Sequence, residues 1–414
     1  MPEGRIKVQC FYGDSYIPID KCKVTIRKSS IQGNEKDNIS VETDSSGLTN
    51  DIPVSAPLLE YSMNPSDNLP YSLYDLNIER EGFEEAVIKG VQVYPDRTAL
   101  QQVNLISTGN NNRKSRSDVI IILPNTLYGS YPEKIPENPD KPLPPPSSGV
   151  VLPKPVVPEF ITVHQGSPND NSAPNYTVEY KEYIKNVASC EIYCTWPEST
   201  IRANVLCIIS FTLNRIYTEW YRGKGKNFDI TSSTAYDHAF NYGRNIYDSI
   251  SVIVDEIFST YIRRFGKKQP LLTQYCDGRN VSCPEWLSQW GSKYLGDQGK
   301  VPYEILTYYY GNDIELTTAE QVEGSPKSYP GYNLTIGSSG EEVRMIQEFL
   351  NRIAKNYPLI QTVSVDGIYG EATAEAVKTF QGIFNLPKTG VVDYATWYQI
   401  SNIYVGVSKI AELK

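Results

Sequence analysis

The residues with the clearest chemical potential stand in one short run, Thr195-Trp196-Pro197-Glu198, which opens an apolar stretch. A glutamate there could work as a general acid and base. Held protonated by an apolar pocket, it could protonate a leaving oxygen and then take a proton from an attacking hydroxyl. Trp196 is a candidate for the wall of that pocket, or ordinary core. The same residues also read as a helix start. Thr195 at N-cap and Glu198 at N3 would make a capping box, and Pro197 would fall in the first turn, where a missing N–H costs nothing. The residues alone leave both roles of Glu198 open.

Other chemistries have fewer handles. A zinc amidase needs several imidazole or carboxylate ligands, and the chain has only His164 and His238. The cysteines are Cys10, Cys22, Cys190, Cys194, Cys207, Cys276 and Cys283. An odd count without a secretory signal favours free thiols. Cys190/Cys194 with Cys276/Cys283 could make a zinc site, although neither spacing is the usual knuckle on both sides. Cys207, inside an apolar helix face, reads as a small buried hydrophobe rather than a nucleophile. No metal and no cofactor are expected.

These residues need a scaffold. Glu198 to Trp220 reads as a long helix with Ile201, Val205, Ile208, Ile209 and Leu213 apolar, and Ile250 to Arg263 as a second. With the short strands and Gly-rich loops around them, residues 161–325 form a central α+β domain. Ahead of it, residues 1–112 read as an antiparallel β-sandwich, with strands at Arg5–Phe11, Cys22–Arg27, Ile39–Thr43, Tyr71–Arg80 and Ala99–Ile106. Val119 to Leu123 is a lone apolar run that needs a partner surface.

Residues 113–160 read as linker and pro-segment. Tyr131 to Phe160 holds ten of the 28 prolines, around a small-residue tip, Ser147-Ser148-Gly149-Val150-Val151. Stiff prolines around a flexible tip suit proteolysis, or a passive spacer. Arg113 to Arg116 lies in a polar loop that offers an earlier cut. After residue 330, apolar residues at helical spacing mark three helices, Glu341–Ala354, Glu371–Phe384 and Asp393–Tyr404.

Resemblances to known families add to this reading. The run Leu334-Thr335-Ile336-Gly337, then Val365-Asp366-Gly367-Ile368-Tyr369-Gly370-Glu371-Ala372-Thr373, then Thr389-Gly390-Val391-Val392-Asp393 and Thr396-Trp397, resembles the three-helix peptidoglycan-binding domain. It implies wall contact through Asp366, Tyr369, Thr373 and Trp397. Thr43-Asp44-Ser45-Ser46-Gly47, Pro70-Tyr71 and Glu81-Gly82-Phe83 look like the prealbumin-like sandwich found beside carboxypeptidases. Pro197-Glu198 ahead of an Ala-containing apolar helix resembles the stage II sporulation protein D family of peptidoglycan lytic transglycosylases.

The last resemblance implies Glu198 as catalytic acid/base. It also places Gln274, Tyr275, Asp277 and Arg279, around Gly278, where the family has its substrate loop. The sequence departs from the family there, lacking the Ser pair, and the helix lacks the usual Ala-Gln-Ala-Val-Ala-Ala-Arg run. The whole order of segments is similar to spore cortex-lytic enzymes of spore-forming anaerobes. This implies a zymogen activated at germination by a subtilisin-like protease, located in the spore cortex and coat region outside the spore core.

Composition is consistent with these readings and narrows the partners. Net charge is −9 with no long basic run, so nucleic acid is not an expected partner. No stretch approaches 18 apolar residues, so no membrane span is expected. Met-Pro-Glu-Gly-Arg-Ile-Lys has no h-region, so no Sec signal peptide is expected. The 31 tyrosines could stack on sugar rings or fill half-buried strand positions. The expected activity is lytic transglycosylase. An amidase and a non-catalytic wall-binding protein are the alternatives, separable by the products released from sacculi.

Overall fold

Alternating burial organises the N-terminal strands. In Glu3–Tyr12, the side chains of Ile6, Val8 and Cys10 point inward in turn. The computed structural model describes residues 2–13, 17–29, 38–108, 118–138, 155–281, 283–319, 321–322, 330 and 332–408. The Ser147–Val151 tip and the Arg113–Arg116 loop lie outside the described residues. The chain divides into two compact units, residues 1–11 with 18–323, and residues 12–17 with 324–414.

Two sheets build the front of the first unit. In one, Glu3–Tyr12 pairs with Thr98–Asn104 in parallel and with Ile52–Ser55 antiparallel. The other runs Ile39–Glu42, Lys23–Lys28, Ser72–Glu79, Ala86–Val93 and Asp118–Ile121. Its last pair is parallel, so the lone apolar run after residue 118 finds its partner as an edge strand. The sheets are thus mixed rather than purely antiparallel.

The sandwich does not stand apart from the α+β part. Ile246–Tyr247, far along the chain, adds antiparallel to Thr98–Asn104. Tyr94 packs edge-on to Tyr247 and near Tyr193, so one apolar core runs through both parts. Buried polar groups cross the boundary as well. The amide of Asn125 donates to the carbonyls of Ser189 and Ile192 (both 3.2 Å), and the Arg97 guanidinium donates to that of Cys194 (2.9 Å). Boundaries drawn at residues 112 and 161 therefore mark changes of composition, not separate cores.

In the α+β part, helix Glu198–Tyr217 is buried almost all round, with helices Tyr180–Glu191, Asp248–Ile257, Gln289–Asp297 and Pro302–Tyr310 around it. Gln289–Asp297 approaches closely because residue 296 is glycine. A Cβ there would lie 2.0 Å from Thr200 Oγ1. The expected helix to Arg263 ends at Ile257, and Thr260–Arg264 is instead a strand paired with Ile314–Thr318. Its Thr-Tyr-Ile run suits a half-buried pleat.

The second unit has its own core. Helices Glu341–Ala354, Glu371–Ile383 and Tyr394–Ser408 enclose Trp397, Phe380, Tyr369 and Leu350. One device occurs twice. Gln347 accepts from the N–H of Gly367 (2.8 Å) and donates to Thr373 (3.2 Å), the third residue of the next helix. Gln381 does the same with Gly390 (2.9 Å) and Thr396 (3.1 Å). Gly367 and Gly390 have φ of 73° and 68°, which a side chain resists.

Candidate functional site

Glu198 begins its helix rather than capping it. The residue before a proline avoids the α region, so the helix cannot extend back past Pro197. Pro197 (φ −53°, ψ 142°) stands at N-cap with no side-chain cap. Thr195 turns away and donates to Ser62 Oγ (2.8 Å). The capping box is absent, and with it the structural role expected of Glu198. The Glu198 side chain is 68% exposed and accepts from Arg202 Nε (2.7 Å), one turn on. Trp196 is core: it is 2% exposed, its indole N–H donates to Ser62 O (2.9 Å), and it packs on Trp290 and Tyr193.

Seven residues upstream lies a carboxylate of the opposite kind. Glu191 ends helix Tyr180–Glu191, is 4% exposed, and lines a cleft of ≈ 450 Å³. Oε1 accepts the N–H of Ala239 (2.8 Å). Oε2 accepts from Thr126 Oγ1 (3.1 Å) and Gln289 Nε2 (3.2 Å). Burial pushes its carboxyl above the usual range, against the opposing pull of Lys134 and these three donors. The C-terminal end of a helix also disfavours negative charge. Glu198 does not line this cleft.

The cleft is assembled from distant segments: Thr126 with Tyr128–Lys134, Glu191, Thr234, Tyr275–Asp277 with Asn280 and Val281, and Gln289. Tyr275 lies on its wall and stacks on His238 (ring centres 5.7 Å, 13° apart). His238 is fully buried and held below its ordinary range, by desolvation first and then by Lys134 and Arg215, so its imidazole is neutral. Its Nδ1 meets the hydroxyl of Tyr183 (3.0 Å). His164 instead stacks on Phe228 and bonds Asn175 (2.7 Å). Among the described residues no group of three His, Cys, Asp or Glu is placed to hold a metal ion.

Of the four substrate-loop candidates, Tyr275 and Asp277 line the cleft. The Asp277 carboxylate is committed to the backbone N–H groups of Arg279, Asn280 and Val281 (2.9–3.2 Å). Gln274 is buried and bonds Ile135 and Glu137, while Arg279 reaches Ser66 O and Asp67. Gly278 (φ +74°) is fixed by space as well, since a Cβ there would lie 1.9 Å from Ser288 Oγ. Cys276 and Cys283 form a disulfide across this loop, which corrects the expectation of free thiols for that pair. Cys190 and Cys194 are buried free thiols and the other pair is joined to each other, so the four-cysteine zinc site is not formed.

The wall-binding candidates also divide. Tyr369 and Trp397 have no exposed surface and Thr373 is 2% exposed, so all three build the domain instead of facing a ligand. The hydroxyl of Tyr369 donates to Gly390 O (2.8 Å). Asp366 is exposed and accepts from Gln347 Nε2 (3.0 Å) and the N–H of Ile368 (2.9 Å), which orders its loop.

Sequence reasoning passed over Glu191. A signal was present: it is the only charged residue between Lys185 and Glu198, in a run of small and apolar residues. A carboxylate so placed must be buried, and a buried carboxylate needs a reason.

The family model for the peptidoglycan binding domain matches residues 339–400. No curated protein sequence matches the chain. Among solved structures, the crystal structure of the SleB N-terminal domain is similar at 28% identity, covering 19% of this chain and 99% of its own, with a TM-score of 0.17. Transthyretin from Sparus aurata matches at 12% identity, covering 25% of this chain and 90% of its own, with a TM-score of 0.15. At those scores neither bears on the fold. The C-terminal unit carries a peptidoglycan-binding domain, whose ligand belongs to bacterial walls and spore cortex. Among the described residues no helix is long and apolar enough to cross a membrane.

Proposed function

We propose that this chain is a spore cortex-lytic enzyme of the SleC type, a lytic transglycosylase made as a zymogen and cut near Gly149–Val151 by a subtilisin-like protease. The observation that carries the reading is Glu191, a buried carboxyl group whose pKa burial raises, in a cleft of ≈ 450 Å³. Hydrolytic glycosidases use two carboxylates. Here Asp277 is committed to three backbone donors, and Glu133 belongs to the segment that crosses the cleft, which leaves one.

One carboxyl suffices if no water enters. Glu191 protonates the glycosidic oxygen as the C1–O bond breaks and positive charge develops on the muramoyl ring. The resulting carboxylate then takes the proton of the ring's own C6 hydroxyl as that oxygen bonds C1. The product is a 1,6-anhydro sugar, and the acid is regenerated. Tyr275 offers a wall on which a sugar face can pack. In the C-terminal unit, wall contact falls to exposed groups such as Ile336 and Ile368, on neighbouring strands of loop, rather than to Tyr369 or Trp397.

The test uses the full chain with a site-specific protease sequence inserted between Ser148 and Gly149, nicked and mixed with cortex sacculi. Anhydro-muramic ends are expected. Released stem peptides would make the protein an amidase, and intact wall with bound protein a binding module. Glu191→Gln should lose activity by on the order of a hundredfold or more, with binding retained. Glu198→Gln, the competing carboxylate, should lose less than about tenfold. The reverse order would return the acid to Glu198.

A further inference from the structure

Residues 131–138, upstream of the Pro-rich tip, have no regular structure; Tyr131–Lys134 line the cleft, and the segment is fastened along its length. The hydroxyl of Tyr131 donates to Pro124 O, and that of Thr234 to Pro132 O (3.2 Å). The N–H of Ile135 donates to Ala235 O (2.7 Å), and the Gln274 amide holds Ile135 O and the N–H of Glu137 (both 3.1 Å). Glu137 takes both terminal nitrogens of buried Arg215, at 2.5 and 3.0 Å. A passive Pro-rich spacer would stay solvated. Tyr131–Glu137 instead puts Lys134 on the cleft wall and Glu137 on buried Arg215.

We propose that Tyr131–Glu137 is an inhibitory strap, with Lys134 as the plug that occupies the glycan's place beside Glu191. The proposal rests on the reading of Glu191 as the proton donor. The Lys134 amine donates to Asp237 O and lies 4.9 Å and 5.0 Å from the ring centres of Phe211 and Tyr275. Burying an ammonium is costly, and the rings and the Glu191 charge offset that cost. The plug acts in two ways. It fills the wall where a sugar would pack, and its charge opposes the rise that burial gives the Glu191 carboxyl, which makes Glu191 a poorer proton donor.

The strap also assigns a role to the cut. Upstream, it is anchored where Asn125 and Thr126 bond the end of helix Tyr180–Glu191. Downstream, among the described residues, the chain is held at Val156–Val157, paired with Gln321–Val322. A cut near Gly149 breaks none of the strap's bonds. It opens the downstream tether, so glycan competes with a strap held at one end rather than two.

The experiment compares solubilisation of cortex sacculi by the uncut chain, uncut Lys134→Ala and uncut Glu137→Ala, each beside its nicked form and nicked Glu191→Gln. Glu137→Ala loosens the strap without altering groups next to Glu191, and it decides the matter if Lys134→Ala fails to fold. Both uncut variants should exceed the uncut parent by on the order of tenfold. Two results overturn the strap: uncut variants as silent as the uncut parent while their nicked forms digest, or an uncut parent as active as its nicked form. Failure of the site reading shows separately, as a nicked Glu191→Gln chain that keeps its activity, and it overturns the plug as well.

Discussion

The C-terminal unit and the cleft-bearing unit solve the problem of holding a site in opposite ways. The former spans some 80 residues and makes its core from three consecutive helices. Its two Gln–Gly–Thr ties each join neighbouring segments. The cleft unit draws its walls from five stretches spread over more than 150 residues, and its core from both the sandwich and the helices. Local construction makes a portable module. Distributed construction makes a site that can be covered, and regulated, by a piece of its own chain.

The largest effect should come from breaking the shared core. A chain that begins at Val150 leaves Tyr193, Tyr247 and Trp196 without the partners supplied by Tyr94 and Ser62. It should melt at least about 10 °C below the nicked full chain, or fail to fold. In the nicked chain, residues 1–148 should co-elute with the rest on size exclusion. Independent elution with unchanged melting would show two cores after all.

The opposite expectation holds for the C-terminal unit. A fragment from residue 330 onward should fold and pellet with sacculi. Trp397→Ala should destabilise it by about 3–5 kcal/mol. Calorimetry of the full chain should then lose one transition and keep the other. Loss of sacculus binding with an unchanged transition would instead put Trp397 at the wall surface.

A smaller effect tests the loop ties. Gln347→Ala strands the N–H of Gly367 and the loop at Asp366, and should cost about 1–3 kcal/mol in the same transition. The smallest effect concerns the plug. Burial lowers Lys134 from its usual 10.5 to about 8. Between those values the unfolded chain holds a proton that the folded chain has released, so this residue makes stability rise with pH. Uncut Lys134→Met should lack that rise, a difference of about 1.4 kcal/mol per pH unit at most, read from denaturant midpoints at pH 8 and 10. Equal slopes would mean that Lys134 is solvated and the strap lifted.

Periodicity and punctuation were enough for whatever is local. Helix Glu341–Ala354 falls where its apolar spacing places it, and Gly367 and Gly390 mark turns because only glycine takes their backbone angles cheaply. Strands such as Lys23–Lys28 and Ser72–Glu79 follow from alternation and turn residues in the same way. The peptidoglycan ligand of the C-terminal unit is legible for a related reason, since its pattern is contiguous.

Burial, by contrast, depends on what packs from elsewhere, and only the tertiary structure decided it. Glu198 and Glu191 are seven residues apart and differ little as letters. One faces solvent beside Arg202; the other is enclosed by Thr126, Ala239 and Gln289, none of which is near it in sequence. Tyr369 and Trp397 carry a wall-binding pattern and serve as core, because the three helices close over them. Lys134 reads as one more charge in a Pro-rich linker. It becomes a plug only where Phe211, Tyr275 and Glu191 converge, since the environment of an ionisable group is set by contacts distant along the chain.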